Sequence, residues 1–240
     1  MKIIPVIDLL DGQVVHAKLG DRQNYQPIIS TLCDSSEPLD VVHALMRLYR
    51  FDRLYIADLN AIQKRDNHLQ VITEIQRHYP KLEIWLDAGL GGPEDILGWA
   101  NLDIRLVVGS ESLIDIADYH AIMKHDETKE IVLSLDFKRD GYHGPQAFLH
   151  EPSLWPKDVI IMSLPKVGSG LGPDIKKLSE FAIKNPQHHF YAAGGVRHEE
   201  DLLELNKLGI QGALVASAIH SGLLNQKIIN ETSSLNPSHK

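Results

Sequence analysis

Short apolar runs alternate with amphipathic stretches along this chain. The first run, Ile3-Ile4-Pro5-Val6-Ile7, stops at Asp8, and the turn signal Asp11-Gly12 follows at once. A parallel strand buried on both faces is apolar throughout, so the residue that ends it is the first one free to be polar. The runs 54–58, 82–87 and 130–136 repeat the device, closing on Asp58, Asp87 and Asp136. Runs of the same kind cover 104–108, 158–162, 189–193 and 212–215. Between them the apolar spacing becomes helical. Helices are predicted over 38–49, from Asn67 with Leu69, Ile72 and Ile75 on one face, and from near Pro93. Others are predicted over 112–123, 173–184, 199–208, and after Ala216-Ser217 as far as Leu224. A second extended piece, 13–19, returns from the first turn, and the polar stretch 20–36 is long enough to be a loop over a site.

Eight strand–helix alternations without linker-like composition predict one α/β domain, a closed (β/α)8 TIM barrel over 1–230. The Ser-, Asn- and Pro-containing end, 231–240, reads as a flexible tail. The halves echo each other. Ile7-Asp8-Leu9-Leu10-Asp11-Gly12 is answered by Leu135-Asp136-Phe137-Lys138-Arg139-Asp140-Gly141. Ala88-Gly89-Leu90 with Glu94-Asp95 is answered by Gly194-Gly195-Val196 with Glu200-Asp201, and Val108-Gly109-Ser110 by Val215-Ala216-Ser217. Three pairs in the right order point to a duplicated half-barrel.

Composition narrows the class. The 43% hydrophobic content suffices for a core in 240 residues, and no stretch is long and apolar enough for a membrane span. Cys33 is the single cysteine, which excludes a disulfide framework and suits a reducing cytoplasm. A net charge of -8 without a basic block argues against nucleic-acid binding. The expected partner is a small phosphorylated metabolite, and the expected state a monomer or small homo-oligomer.

Candidate chemistry sits at the strand ends. In a barrel the first and fifth strands face each other, so Asp8 and Asp136 should oppose one another over one cavity as general acid and base. Gly194-Gly195 with Ala216-Ser217 fits a phosphate cradle, because small residues let backbone N–H groups approach an anion. Gly89 with Gly109-Ser110 would form the mirror cradle, and Gly168 lies in a Gly-rich loop after the sixth strand. Asp58 and Asp87 are either substrate contacts or carboxylates bonded to loop amides. Four carboxylates around one mouth would repel, raising some pKa values unless a cation such as magnesium joins them. Lys138 and Lys166 are candidate substrate contacts, with an ion pair as the plainer role for Lys138. The 13 histidines show no ligand spacing, and neither a metal nor an organic cofactor is expected.

The motifs Pro5-Val6-Ile7-Asp8-Leu9-Leu10-Asp11-Gly12, Leu54-Tyr55-Ile56-Ala57-Asp58, Val107-Val108-Gly109-Ser110, Leu135-Asp136 and Ala192-Ala193-Gly194-Gly195-Val196 resemble those of the histidine-biosynthesis barrel family. The resemblance is closer to its isomerase branch than to its cyclase branch and covers almost the whole chain. It implies an Amadori rearrangement of a phosphorylated ribosylamine, with Asp8 as base, Asp136 as acid and two phosphate sites. The chain departs from the family pattern at Asp87-Ala88-Gly89-Leu90-Gly91, at Ser163-Leu164-Pro165-Lys166-Val167-Gly168-Ser169 and at Ala216. A divergent member is therefore the expectation. Two other functions stand beside it: a lyase or synthase on a phosphorylated intermediate of methanopterin- or methanofuran-linked one-carbon metabolism, and a non-catalytic phosphometabolite-binding barrel.

Overall fold

A computed structural model describes residues 1–125 and 130–235. The barrel strands are β1 Lys2–Leu10, β4 Arg53–Asp58, β5 Glu83–Asp87, β6 Ile104–Gly109, β7 Val132–Lys138, β9 Asp158–Ser163, β10 His189–Ala193 and β11 Gly212–Val215. They pair in parallel in that order, and β11 returns to β1 with Lys2 opposite Gly212 and Pro5 opposite Val215, which closes the sheet. Three short strands decorate the mouth: β2 Gln13–His16, β3 Gln26–Pro27 and β8 Gly141–His143. The expected duplication is visible in them. Asp8 lies opposite Val15 in the β1–β2 hairpin, and Asp136 opposite His143 in the β7–β8 hairpin.

Strand alternation sorts the core into two layers. Ile4, Tyr55, Trp85, Val107, Val132, Ile160, Tyr191 and Leu214 point inward and fill the barrel. Ile3, Ile7, Leu54, Ile56, Leu86, Val108, Leu133 and Ile161 point outward beneath the helices. Those helices are α1 Pro38–Leu48, α2 Leu59–Ile62, α3 Leu69–His78, α4 Ile116–His125, α5 Ala147–His150, α6 Ile175–Lys184, α7 Glu199–Lys207, α8 Ser217–His220 and α9 Gln226–Ser233. At the floor, Arg105 pairs with Glu83 at 3.2 Å and with Asp158 at 2.8 Å, while Arg53 pairs with Glu83 at 3.0 Å. Both guanidiniums lie over the Trp85 ring, about 5 Å from its centroid. This network seals the end of the barrel away from the aspartates.

Three predicted elements differ. The helix expected near Pro93 is a run of 3-10 turns, Pro93–Trp99. The helix expected from Ser112 begins at Ile116, after a 3-10 turn at Ser110–Ser112. The helix after β11 is only Ser217–His220, and a separate helix, capped by the Asn225 side chain, runs through Ser233. The tail expected from Glu231 therefore starts too early: Thr232 is buried, and the amino group of Met1 bonds to the Leu235 carbonyl. Residues 236–240 of that tail lie outside the described residues.

Candidate active site

The carboxyl ends of the strands open into a cavity of about 300 Å³. Asp8, Asp87 and Asp136 all line it. Each stands on the inward parity of its strand, two residues above a core side chain: Val6 below Asp8, Trp85 below Asp87, Ser134 below Asp136. Asp8 and Asp136 are four strands apart in the closed order of eight, and so on opposite walls.

Their surroundings differ. Asp136 is held by two donors: the Ser134 hydroxyl donates to Oδ1 at 2.6 Å and the Glu111 N–H to Oδ2 at 3.0 Å. Burial raises its pKa to about 7, against the Ser134 and Glu111 hydrogen bonds and with the help of the negative charges of Glu111 and Asp87. Asp8 has no side-chain hydrogen bond among the described residues. Burial pushes it up to about 7 as well, the Arg22 charge opposes that rise, and Asp87 adds to it. Asp87 is raised to about 6, chiefly by burial; the Gly89 N–H and Tyr55 hydroxyl, which donate to it, pull the other way.

Five residues of the site, Arg22, Glu111, Tyr55, Tyr25 and His16, carried no signal in the sequence. Arg22, from the loop after β2, lines the cavity and donates to Glu111 Oε1 at 2.5 Å. Lys138 holds the other Glu111 oxygen at 2.9 Å. Burial alone would raise Glu111, but these two cations outweigh it and keep the carboxylate below its usual range. Tyr55 supplies the hydroxyl bound to Asp87, and Tyr25 lies beside Asp8 and Arg22 with its phenol pushed up to about 12 by burial and the Asp8 charge. His16, on β2, reaches the Ser217 hydroxyl at 3.1 Å.

The expected strand-10/11 cradle lies on the cavity: Gly194, Gly195, Ala216, Ser217 and Gly168 all line it. Gly194 and Gly195 have φ of 98° and 93°, and a Cβ on Gly195 would sit 2.3 Å from the Gly172 carbonyl oxygen, so only glycine fits. The mirror cradle is not brought to the cavity. Gly89, Gly109 and Ser110 are absent from its lining, the Gly89 N–H is bonded to Asp87, and the Ser110 hydroxyl is turned to the His143 carbonyl at 2.6 Å.

Of the candidate substrate contacts, Asp58 and Lys138 take the plainer of the roles weighed for them, amide acceptor and ion pair, and Lys166 lies off the cavity. Asp58 is fully buried outside the cavity, where it caps α2 and binds His68, because it has the outward parity of β4. Lys138 is committed to Glu111 rather than to a substrate. Lys166 sits in a 3-10 turn and does not line the cavity. No three His, Cys, Asp or Glu side chains among the described residues group as metal ligands would, and the carboxylates are met by Arg22, Lys138 and raised pKa values instead.

A family model described as histidine biosynthesis protein matches residues 2–225. An uncharacterised protein of Methanocaldococcus jannaschii is 35% identical over 238 residues, covering 96% of this chain and 99% of the relative. Two proteins named 1-(5-phosphoribosyl)-5-((5-phosphoribosylamino)methylideneamino) imidazole-4-carboxamide isomerase are similar at lower identity. That of Halothermothrix orenii is 25% identical, covering 96% of this chain and 99% of its own length. That of Nitrosopumilus maritimus is 26% identical, covering 94% and 96%. No helix among the described residues is long and apolar enough to cross a membrane.

Proposed function

We propose, from the premise that the chain belongs to the histidine biosynthesis protein family, that it is an isomerase of a phosphorylated ribosylamine working by Amadori rearrangement. Asp136 as acid protonates the ring oxygen and opens the aldosylamine to an iminium. Asp8 as base then takes the proton from C2, and the enaminol that results tautomerises to the aminoketose. The observation that carries this reading is a buried Asp136 facing a half-buried Asp8 across the cavity, both shifted toward neutrality.

The role assignment is supported by Arg22, whose charge favours the ionised form of Asp8 against burial and Asp87, and by Glu111 and Asp87, whose charges favour the protonated form of Asp136 against the hydrogen bonds from Ser134 and the Glu111 N–H. The lyase alternative is weakened by the same cavity, since among the described residues no lysine lines it to form a carbinolamine or Schiff base. Turnover of a 5-phosphoribosylamine that carries a single phosphate, followed by the appearance of the ketose product, tests the reading, and no turnover of such compounds at any pH from 5 to 9 would remove it.

The phosphate of the substrate falls to Gly194, Gly195, Ala216 and Ser217, with Gly168 at the edge. Ser217→Asp places a carboxylate at that cradle without disturbing a buried residue. It is expected to weaken binding of ribose 5-phosphate by about tenfold or more, read by calorimetry, while Tm stays within about 2 °C of the parent. Equal affinity in parent and variant would place the phosphate elsewhere.

A further inference from the structure

The two halves of the barrel can be compared position by position, and they differ where an anion would bind. Gly89 corresponds to Gly195, Asp87 to Ala193, and Gly109-Ser110-Glu111 to Ala216-Ser217-Ala218. Some features are shared. Asp95 accepts from the Gly91 N–H at 2.8 Å and pairs with Lys64, just as Asp201 accepts from the Arg197 N–H at 2.9 Å and pairs with the Arg197 guanidinium.

The anion-facing positions are not shared. In the half built on β5 and β6, the Gly89 N–H donates to Asp87 at 3.0 Å and the Glu111 N–H to Asp136 at 3.0 Å. Among the described residues no side chain takes up the amides of Gly195 or Ala218, and both residues line the cavity. Where one half has the acids Asp87 and Glu111, the other has the methyl groups of Ala193 and Ala218. One half thus offers open backbone donors. The other has its donors bonded to Asp87 and Asp136, and a phosphate dianion arriving there would meet Asp87 and a Glu111 carboxylate already paired with Arg22 and Lys138.

From this asymmetry we infer that the chain holds a phosphate at one end of its ligand only, and that a second phosphate spanning the barrel adds nothing to binding. The inference rests on the proposed phosphate cradle at Gly194, Gly195 and Ser217. It separates this chain from relatives whose printed name carries two phosphoribosyl groups. A cavity of about 300 Å³ is at the small end of the range for ligand sites, in keeping with a compact monophosphate. The acids of the closed half then face hydroxyl or amino groups, which can donate to them.

The test is calorimetric titration of the full chain with matched monophosphates and α,ω-bisphosphates of alkanediols of increasing length, each repeated on Ser217→Asp. At every length the bisphosphate is expected to bind no more than about twofold tighter than its monophosphate, the statistical factor for two equivalent ends. Both should weaken in Ser217→Asp. A larger bisphosphate advantage at any length overturns the one-phosphate inference and leaves the cradle standing. Monophosphate binding that is undetectable, or unaffected by Ser217→Asp, overturns the cradle and the inference with it.

Discussion

Asp8→Asn and Asp136→Asn are each expected to lower turnover by about a thousandfold, within the range for loss of a general acid or base, while leaving the fold intact at pH 8. The second half of that expectation follows from linkage. Both carboxyls have a folded pKa of about 7 against an ordinary value of 3.8, so the folded state holds their protons more tightly than the unfolded state does. A raised carboxyl contributes stability that is complete below pH 4 and is lost as pH climbs through 7. Above that, each ionised group weighs against folding by about 4 kcal/mol, at 1.36 kcal/mol per unit. Asparagine removes the charge and with it the penalty. The gain should be larger at position 8, where no side-chain hydrogen bond is lost. It should be smaller at position 136, where the Ser134 hydroxyl and the Glu111 N–H both need an acceptor and asparagine offers a single oxygen. Urea denaturation at pH 5 and pH 8 reads this directly, the difference from the parent appearing at pH 8 and shrinking at pH 5. The parent's kcat/KM should follow a narrow bell near pH 7, because the pair must carry one proton between them. Full turnover in either variant would end the acid–base assignment.

The strands and the two opposed aspartates were legible because one physical rule governs both. A strand buried on both faces turns polar only where it leaves the sheet, so apolar runs closed by aspartate mark strand ends and site residues together. The rule says nothing of which way the last side chain points. Asp87 and Asp136 share the inward parity of Trp85 and Ser134, whereas Asp58 follows Ala57 and points out among the helices. The four runs looked alike in sequence, and only the register separates them. Arg22 was illegible for a different reason. It lies in a polar loop with no periodicity, and its role comes from contact with Glu111, 89 residues away. Tyr55 looked like one more core aromatic, and it is one, except that its hydroxyl reaches Asp87. The last helix was hidden by its composition: only Ile228 and Ile229 carry its apolar face, and Asn225 as its cap resembles the surrounding loop residues. The mirror-cradle residues lie off the cavity because glycine spacing reports only room for an anion, and the Asp87 carboxylate that precedes Gly89 has taken its amide.

Asp58→Ala should cost about 3 kcal/mol of stability, seen as a fall of about 10 °C in Tm, with KM nearly unchanged for whatever substrate is turned over. The side chain is wholly buried and accepts three hydrogen bonds, from the Ala61 N–H at 3.1 Å, the His68 N–H at 2.6 Å and His68 Nδ1 at 2.8 Å. On the far side of the imidazole, Nε2 accepts from the Gly12 N–H at 3.0 Å, which fixes the proton on Nδ1. The chain of bonds therefore ties the end of β4 to the turn of the β1–β2 hairpin, next to Asp11, whose own N–H and carboxylate bond to Asn60. Alanine leaves three buried donors without an acceptor and loosens the hairpin that stands beside Asp8. Asparagine is no remedy, since its NH2 would face donors. His68→Gln, which puts a carboxamide in place of the imidazole and cannot span from Asp58 to Gly12 in the same way, should lose a similar amount, and the double variant should lose much less than the sum because both changes break the same chain. The measurement is a double-mutant cycle by urea denaturation with KM determined on each protein. A KM raised tenfold at parental stability would return Asp58 to the substrate; additive losses would show that the hairpin and the strand end are not coupled through His68.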